Sequence, residues 1–238
     1  MLSALLSDID GTLTDPTRRI NLSAIDAIRS LVDNGIEVVL ASGNATCVMD
    51  GICRMIGTGG TIIAENGGVF RVGYTGTLTI SGDQTVARRA LDALQAHYRA
   101  KGVEIQLYSP TYRFSDLAFA RTVPVDEVKT LLRDHPVQVI DTGYAIHLQA
   151  HSVGKGIALV ALARAMHRTP ADFIAIGDSV NDIDMLKTAG IVVTVANAHP
   201  DVKAVAQYVA TKEYGDGFVE AIKKYEPYFF ARNRSTTI

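Results

Sequence analysis

Residues 4–14 read ALLSDIDGTLT, a short apolar run that leads into two carboxylates. In an extended chain, side chains two residues apart point the same way, so Asp8 and Asp10 project together while Ile9 faces the other side. Gly11 lets the chain turn without a Cβ penalty. Two neighbouring carboxylates repel each other, so this arrangement calls for a cation or a proton between them. The competing interpretation is a solvated turn that uses Asp and Gly only for their turn preferences.

The segments around this stretch alternate between short apolar runs and helical patterns. Residues 23–34 carry apolar side chains at helical spacing, and Gly35 suits the position just after a helix. The apolar runs of strand length are residues 4–7, 36–40, 61–64, 173–176 and 191–195. This alternation at both ends of the chain predicts βαβ units around a parallel sheet, an α/β fold. In such folds ligands bind at the carboxyl ends of the strands, where Asp8 and Asp10 lie.

The middle of the chain has a different pattern. It reads as a helix, two extended runs, a second helix and two more extended runs, at residues 82–101, 103–108, 117–123, 125–132, 137–140 and 145–148. Consecutive strands without a crossover indicate a small α+β module on a mainly antiparallel sheet. The sequence therefore predicts a core domain from residues 1–80 and 151–238, interrupted by an inserted α+β domain at residues 81–150.

A second acidic segment, GDSVND at residues 177–182, also follows an apolar run and opens a helix. Asp178 and Asp182 would lie about one helical turn apart if that helix starts at once. Ordinary helix capping is the alternative, with Asp178 or Ser179 as the N-cap and Asp182 complementing the helix dipole. If the two strand ends meet, four carboxylates converge, and a hard dication such as Mg²⁺ would neutralise them.

Two smaller features fit the same pocket. Ser42 and Gly43, in ASGN at residues 41–44, offer a hydroxyl and backbone N–H groups, a common way to hold phosphate. A plain strand-to-helix turn is the alternative. Lys155 lies where a helix begins, and a cation there is unfavourable to the helix dipole by about 0.3–1 kcal/mol. A facing anion would explain Lys155, whereas the alternative is an exposed, solvated lysine.

The composition of the 238-residue chain excludes several classes of protein. Lys and Arg total 23 against 25 for Asp and Glu, so the net charge of −2 provides no basic surface for nucleic acid. No apolar run approaches the roughly 18 residues that span a bilayer, and Asp8 interrupts the N-terminal run too early for a signal peptide. Cys47 and Cys53 are predicted to be reduced core thiols. We therefore expect a cytoplasmic protein with neither a nucleic-acid partner nor a membrane anchor.

Four short motifs resemble, in order, those of the haloacid dehalogenase superfamily: DIDGTLT, ASGN, the lysine of VGKG, and GDSVND. The resemblance covers the whole predicted core, and it implies a Rossmann-like parallel-sheet core with an inserted α+β cap domain. More narrowly, AENGG at residues 64–68, the compact cap and GDSVNDIDM resemble the archaeal phosphoglycolate phosphatases. Sucrose-phosphate phosphatases and Cof-type sugar phosphatases are the next most similar groups by the same features.

The resemblance also implies a mechanism. Asp8 would attack phosphorus and form an aspartyl-phosphate, which divides the hydrolysis into two steps. Asp10 would protonate the leaving alkoxide and then deprotonate the water that hydrolyses the intermediate. These roles imply a phosphomonoesterase that converts 2-phosphoglycolate to glycolate and phosphate.

Binding roles follow from the same resemblance. Mg²⁺ would be held by four residues, the last of them directly or through a water: Asp8, Asp10 through its backbone carbonyl, Asp178 and Asp182. The phosphoryl oxygens would be bound by four others: Ser42, Gly43, Lys155 and Asn181. A dication and a lysine supply the charge compensation that phosphoryl transfer needs.

Four charged residues in or beside the insertion are candidates to bind the carboxylate of 2-phosphoglycolate: Arg113, Arg121, His147 and His151. For any single one of them, a surface charge on a strand is the favoured interpretation. If Arg113 is the partner, Arg113→Ala should raise KM for phosphoglycolate more than for an uncharged aryl phosphate.

Other interpretations stay open. A sugar-phosphate phosphatase would use the same site on another substrate, and a phosphomutase would return the phosphoryl group to a sugar. A non-catalytic binding module is disfavoured because such a protein has no need of a nucleophile at Asp8. The aromatic side chains of residues 225–230 are predicted to pack on the core, and packing on a second copy of the chain is the alternative, which leaves a homodimer open.

Overall fold

A computed structural model describes residues 2–230, and its strands form two separate sheets. The strands are β1 (Ala4–Asp8), β2 (Glu37–Ala41), β3 (Ile62–Ala64), β4 (Val69–Arg71), β5 (Thr79–Ile80), β6 (Leu117–Ala120), β7 (Val137–Asp141), β8 (Ala145–Ala150), β9 (Phe173–Ile176), β10 (Ile191–Thr194) and β11 (Tyr208–Val209). The α-helices are α1 (Leu22–Asp33), α2 (Thr46–Ile56), α3 (Gln84–Ala100), α4 (Val125–Leu131), α5 (Lys155–Ala165), α6 (Ile183–Thr188), α7 (Pro200–Val205) and α8 (Tyr214–Phe230). None of the helices in this part of the chain has both the length and the apolarity to cross a membrane.

The larger sheet has eight strands in the order β11-β10-β9-β1-β2-β3-β4-β5. β1 lies inside it, with Leu6 paired to Val39 of β2 and to Ala175 of β9. All five residues of β1 are buried because helices cover both faces of the sheet, which explains the unbroken apolar run in the sequence. The pairings from β11 to β3 are parallel, so the predicted α/β core is confirmed.

Three strands that the sequence analysis did not predict extend this sheet: β4 and β5 at one end, and β11, which pairs parallel with β10, at the other. β4 pairs antiparallel with β3, and β5 pairs antiparallel with β4. The chain reverses between β3 and β4 in a tight turn, Glu65–Gly67, whose three residues all have positive φ. Strands of two or three residues are too short to show a periodic pattern, so the sequence carries no signal for them.

Side chains of β1 alternate between two hydrophobic layers, one on each face of the larger sheet. Leu5 packs in the layer formed with α1, α2 and α8, and Leu6 packs in the layer formed with α5, α6 and α7. Tyr225 and Phe229 of α8 are buried in the first layer, which confirms that the aromatic tail packs on the core, whereas Tyr228 is exposed. The homodimer stays a prediction.

The smaller sheet is antiparallel, in the order β6-β8-β7, and α3 and α4 pack on one of its faces. Ile146 and Leu148 of β8 fill that layer. His147 lies between them and therefore points to the other face, toward the carboxyl edge of the larger sheet. The predicted α+β module is present, and the domain boundaries at residues 80 and 151 stay a prediction. The ends of the predicted core domain, residue 1 and residues 231–238, lie outside the described residues.

The prediction of a strand at residues 103–108 of this module is wrong for most of its length. Residues 103–108 form only a single bridge, between Leu107 and Phe119, with a backbone hydrogen bond on either side. Ser109 then takes a positive φ and Pro110 follows, so the chain turns away from the sheet. Proline has no N–H to donate to a neighbouring strand, which ends the pairing here.

The two cysteines lie on α2 in different surroundings. Cys53 is a buried free thiol, as predicted, but Cys47 is exposed, so the prediction of a core thiol is wrong for Cys47. The buried face of α2 includes Met49, Cys53 and Ile56, at the spacing of one helical face. Cys47 lies off that face, a difference that the count of cysteines could not indicate.

Candidate active site

The carboxyl ends of β1, β2 and β9 meet at one edge of the larger sheet. Asp8 ends β1 and pairs with Ala41, the last residue of β2, so Ser42 follows directly beside it. β9 ends at Ile176 on the other side of β1, and Asp178 follows two residues later. Parallel pairing therefore brings three of the predicted motifs to the edge where α/β sheets bind ligands.

Lys155, the first residue of α5, is buried between two carboxylates. Its Nζ lies 2.6 Å from Asp8 Oδ1 and 2.5 Å from Asp182 Oδ1, and only 1% of its side chain is exposed. Burial alone would lower the pKa of Lys155, but the charges of Asp182 and Asp8 raise it above the usual range of a lysine. Lys155 is therefore charged and paired with anions, which contradicts the alternative of an exposed, solvated lysine.

Asp8, Asp178 and Asp182 form an acidic cluster. Each offers one carboxylate oxygen, and these oxygens all lie within 4.8 Å of one another. Burial and the charge of Asp182 raise the pKa of Asp8 well above its usual range, and the charge of Lys155 opposes them. The same two causes raise the pKa of Asp178 to about 7. Three carboxylates around one lysine leave negative charge in excess, so the cluster suits a cation that prefers oxygen ligands, such as Mg²⁺.

Gly11 and Thr12 fix the carboxylate of Asp178. Thr12 Oγ1 donates a 2.8 Å hydrogen bond to Asp178 Oδ1. Gly11 has a φ of +91°, and a Cβ on it would lie 2.4 Å from Asp178 Oδ2. A larger residue at position 11 would therefore push Asp178 away from the cluster, which explains why glycine follows the two aspartates.

Asp182 holds the loop that carries Asp178. Its Oδ2 accepts from the backbone N–H of Asp178 at 3.1 Å and of Ser179 at 3.0 Å, while its Oδ1 faces Lys155. A short 3₁₀ turn, Val180–Asp182, precedes α6, so the two aspartates are not one α-helical turn apart. The capping interpretation is correct for the contact with Ser179. The side chain of Asp182 therefore caps this turn and also belongs to the acidic cluster. The prediction of four converging carboxylates is wrong in number, because the cluster contains Asp8, Asp178 and Asp182 while the side chain of Asp10 contacts Asn44.

Asp10 lies next to the loop that follows β2. Asn44 Nδ2 donates to Asp10 Oδ2 at 3.2 Å and to Ser42 Oγ at 2.9 Å. The backbone N–H of Asn44 donates to the same hydroxyl at 3.1 Å. Asn44 thus joins Asp10 to the turn that is predicted to hold phosphate, a role that the motif ASGN does not reveal by itself.

A cavity of about 330 Å³ lies between this edge of the larger sheet and the smaller sheet. Five of the predicted site residues line it: Asp8, Asp10, Ser42, Gly43 and Asn181. The other three lie behind Asp8, in contact with it or with its neighbours: Lys155, Asp178 and Asp182. The structure brings the predicted site residues to one place, and their individual roles there stay predictions.

The smaller sheet and its loops contribute Arg113 and His147 to the cavity lining. These are two of the four candidates for the substrate's carboxylate. Arg121 pairs instead with Asp141, with 44% of its side chain exposed, and His151 is exposed. Neither Arg121 nor His151 lines the cavity, so the structure reduces the four candidates to two.

Glu65 is a buried acid that the sequence analysis missed. Its carboxylate oxygen Oε2 accepts from the backbone N–H groups of Phe114 at 3.0 Å, Ser115 at 2.8 Å and Asp116 at 3.3 Å. Burial and the charge of Asp116 raise the pKa of Glu65 to about 7, and these N–H groups oppose the shift. The motif AENGG contains Glu65 but gives no sign of this contact, because the contact depends on how two loops meet that are about 50 residues apart in the chain.

The raised pKa of Glu65 predicts a pH-dependent stability. Its native value of about 7 exceeds the ordinary 4.5, so between these pH values the native state binds more protons than the unfolded chain. The free energy of unfolding therefore falls as pH rises through this window, by about 2–3 kcal/mol from Glu65 alone. Glu65→Gln should remove this part of the slope in urea unfolding, and Glu104→Gln, at an exposed position, should not. Equal slopes in wild type and Glu65→Gln would contradict the assignment.

A family model described as haloacid dehalogenase-like hydrolase matches residues 5–116 and 125–222, which include every predicted site residue. The chain belongs to the haloacid dehalogenase-like hydrolase family. The match extends over the larger sheet and over β7 and β8 of the smaller sheet of this hydrolase. It confirms the family that the four motifs indicated.

Relatives of this hydrolase are similar over almost its whole length. A protein of Methanoculleus marisnigri named phosphoglycolate phosphatase is 57% identical, over 98% of this chain and 100% of its own. A protein of Methanospirillum hungatei with the same name is 47% identical, over 98% and 100%. The crystal structure of a Thermoplasma acidophilum protein has a TM-score of 0.84 at 27% identity, over 95% of this chain and 99% of its own. The fold of the hydrolase is therefore that of its family.

Proposed function

We propose that this hydrolase is a Mg²⁺-dependent phosphomonoesterase that converts 2-phosphoglycolate to glycolate and phosphate. The observation that carries the proposal is the position of Asp8, held by Lys155 and lining a cavity that Asp10 also lines. The two relatives named phosphoglycolate phosphatase support the choice of substrate. A cavity of about 330 Å³ has room for this small acid.

Asp8 is the nucleophile in this proposal. Lys155 holds its Oδ1 at 2.6 Å, which leaves Oδ2 to attack phosphorus. The attack forms an aspartyl-phosphate and expels the alkoxide of the substrate, and water then attacks the same phosphorus and releases phosphate. Burial disfavours the ionised form of Asp8, and the charge of Lys155 favours it. A second cation, bound at the acidic cluster, would further stabilise the ionised carboxylate of Asp8.

Asp10 moves the protons. It protonates the leaving alkoxide as an acid, and it then takes a proton from the attacking water as a base. Asn44 orients its carboxylate through Oδ2, and Oδ1 has no hydrogen-bond partner among residues 2–230. The proton-transferring oxygen is therefore Oδ1, while the contact of Asn44 with Ser42 couples Asp10 to the phosphate-binding turn.

The phosphoryl oxygens are bound by polar groups from three elements. Ser42 supplies its hydroxyl and Gly43 its backbone N–H, both in the turn after β2. Asn181 Nδ2 already donates to Asn66 Oδ1 at 3.1 Å, and the second N–H of this amide is left for a phosphoryl oxygen. Lys155 adds the positive charge from behind Asp8. These donors would stabilise the charge that develops on the phosphoryl group.

The residues at the acidic cluster fit a Mg²⁺ ion. Asp8, Asp178 and the backbone carbonyl of Asp10 would hold it. Asp182 would act through a water, because both of its oxygens already accept hydrogen bonds. Gly11 is part of the fit, since a Cβ there would displace Asp178. When bound, Mg²⁺ offsets the negative charge of the phosphoryl group.

The smaller sheet would act as the cap of the enzyme, with residues 81–150 as the cap domain and residues 1–80 and 151–238 as the core domain. Its position across the cavity would exclude water from the first step, and its opening would admit substrate. A cytoplasmic location is part of the proposal, because Cys47 and Cys53 are free thiols, as in a reducing compartment.

An assay of free phosphate release tests the proposal. It uses 2-phosphoglycolate and a panel of sugar phosphates as substrates, each measured with Mg²⁺ and with excess chelator. We expect release that requires Mg²⁺, and a kcat/KM for 2-phosphoglycolate at least about tenfold above that of any sugar phosphate. Preference for a sugar phosphate would overturn the substrate and keep the mechanism. Transfer of label to a sugar without free phosphate would indicate a phosphomutase, and no reaction with any compound would indicate a binding module.

A further inference from the structure

Arg113 is a buried cation of the smaller domain that reaches across to the core. Its side chain is 6% exposed, its Nε donates to Tyr108 O at 3.1 Å, and its Nη1 donates to Gly43 O at 3.1 Å. Nη1 also donates to Asp116 Oδ1 at 2.6 Å. Within residues 2–230, Nη2 is the one nitrogen of this guanidinium without a hydrogen-bond partner, and Arg113 lines the cavity. A buried cation with an unused pair of N–H donors at a cavity is suited to an anionic ligand.

Asp116 contacts both of the remaining candidates for the substrate's carboxylate, Arg113 and His147. Its Oδ1 accepts from Arg113, and its Oδ2 lies 2.8 Å from His147 Nδ1. Burial would raise the pKa of Asp116, but the contacts with His147 and Arg113 lower it, so the carboxylate stays ionised. Since Asp116 uses Nδ1 of His147, the other ring nitrogen is left for a ligand.

The backbone that carries Arg113 and Asp116 is anchored to the core. Glu65 accepts three successive N–H groups of this segment, from residues 114 to 116. Gln84 Nε2 donates to the carbonyls of Arg113 at 2.6 Å and of Asp116 at 3.2 Å. The guanidinium is therefore held at a fixed place above Gly43, one residue from Ser42.

We propose that Arg113, with His147 beside it, forms a subsite for a carboxylate on the substrate, and that Asp116 and Glu65 are positioning residues for this subsite. The proposal rests on the phosphatase function proposed above and adds which residues select a phosphorylated acid. A guanidinium matches a carboxylate better than a hydroxyl, because its planar N–H groups pair with both oxygens. Its contact with Gly43, within the predicted phosphate turn, places the two anionic groups close together, which favours a short acid over a hexose phosphate.

Two other arginines of the chain serve as comparisons. Arg18 also lines the cavity, but it is exposed and stacks on Tyr144, with its guanidinium carbon 3.9 Å from the ring centre. Arg121 lies in the same module as Arg113 but pairs with Asp141 outside the cavity. Arg121→Ala is therefore the matched control, since it makes the same chemical change without reaching the subsite.

The experiment compares two phosphate esters that differ only in the group at the end opposite the phosphate. These are 2-phosphoglycolate and 2-hydroxyethyl phosphate, in which a hydroxymethyl group replaces the carboxylate. In Arg113→Ala, kcat/KM for 2-phosphoglycolate should fall by about 10- to 100-fold, mainly through KM, and that for 2-hydroxyethyl phosphate by less than about threefold. Arg113→Lys keeps the positive charge but not the paired N–H donors of the guanidinium, so its kcat/KM for 2-phosphoglycolate should fall less than that of Arg113→Ala. Arg121→Ala should match the wild type on both substrates.

The positioning residues are tested with the same pair of substrates. In Glu65→Gln and in Asp116→Asn, KM for 2-phosphoglycolate should rise while kcat on 2-hydroxyethyl phosphate stays near the wild-type value. A purely structural role would lower the activity on both substrates together, which would overturn the assignment of these two residues.

Three results would overturn the subsite. Equal losses on both substrates in Arg113→Ala and Arg113→Lys would mean that Arg113 serves the phosphoryl group. Unchanged kinetics on the acid in both variants would mean that the carboxylate binds elsewhere. If the wild type hydrolyses neither compound, the subsite fails, an outcome visible before any variant is made; release of phosphate from a sugar phosphate would then keep the phosphatase mechanism, and no release from any compound would overturn the proposed function as well.

Discussion

Replacing Asp8 by asparagine is expected to abolish turnover while the fold stays intact. Asparagine keeps the shape of aspartate, but its neutral amide cannot attack phosphorus. The expected fall in kcat is at least about 10⁴-fold, the scale on which enzymes lose activity with their nucleophile. Lys155 still pairs with Asp182 at 2.5 Å in this variant, so the buried charges stay compensated. The free energy of unfolding should therefore change by less than about 1 kcal/mol.

Phosphate release and urea unfolding on one preparation measure both parts of this expectation. Asp26→Asn is a matched control, because Asp26 lies exposed on α1 and the change is chemically the same. The control should keep full activity. A folded Asp8→Asn protein with wild-type kcat would refute Asp8 as the nucleophile, whatever the substrate.

Lys155→Met is expected to reduce both stability and activity. The variant leaves Asp8 and Asp182 buried with no ammonium between them. Removal of one partner from a buried ion pair costs about 3–5 kcal/mol, because uncompensated charge stays in the interior. The native pKa of Lys155 is raised, so its stabilisation is fully present below the ordinary lysine value of 10.5 and is lost only above it. A comparison near neutral pH therefore measures the whole effect.

Urea unfolding near neutral pH tests this expectation. Lys187→Met, at an exposed position on α6, makes the same change and should stay within about 0.5 kcal/mol of wild type. Adding Asp182→Asn to Lys155→Met should restore part of the lost stability, because it removes one of the stranded charges. A loss below about 1 kcal/mol in Lys155→Met would contradict the buried triad. Activity should fall by about 10³-fold in the folded protein.

The sequence predicted those parts of the fold and site that depend on local pattern. The apolar run before Asp8 is buried on both faces of the sheet, and such runs are distinct from the alternation of a half-exposed strand. Because parallel strands share one carboxyl edge, polar residues at the ends of several runs had to meet there. Asp8, Ser42 and Asp178 do so.

Other features depend on contacts between distant segments, and local pattern does not encode them. The pairing of Glu65 with the backbone of residues 114–116 requires the fold itself. The face of β8 that His147 occupies depends on which side of the smaller sheet α3 and α4 cover. Residues 103–108 look like a strand in sequence, yet Ser109 and Pro110 end the pairing after one bridge.

A rapid acid quench of Asp10→Asn with p-nitrophenyl phosphate and Mg²⁺ would show whether the phosphoryl group passes through Asp8. Nitrophenol leaves without the help of an acid, whereas hydrolysis of the intermediate needs Asp10 as a base, so the phosphoenzyme should accumulate. We predict a burst of nitrophenol equal to the enzyme concentration, and the mass of one phosphoryl group on the peptide that contains Asp8. Steady turnover by wild type, with neither burst nor phosphorylated peptide in Asp10→Asn, would contradict the covalent mechanism.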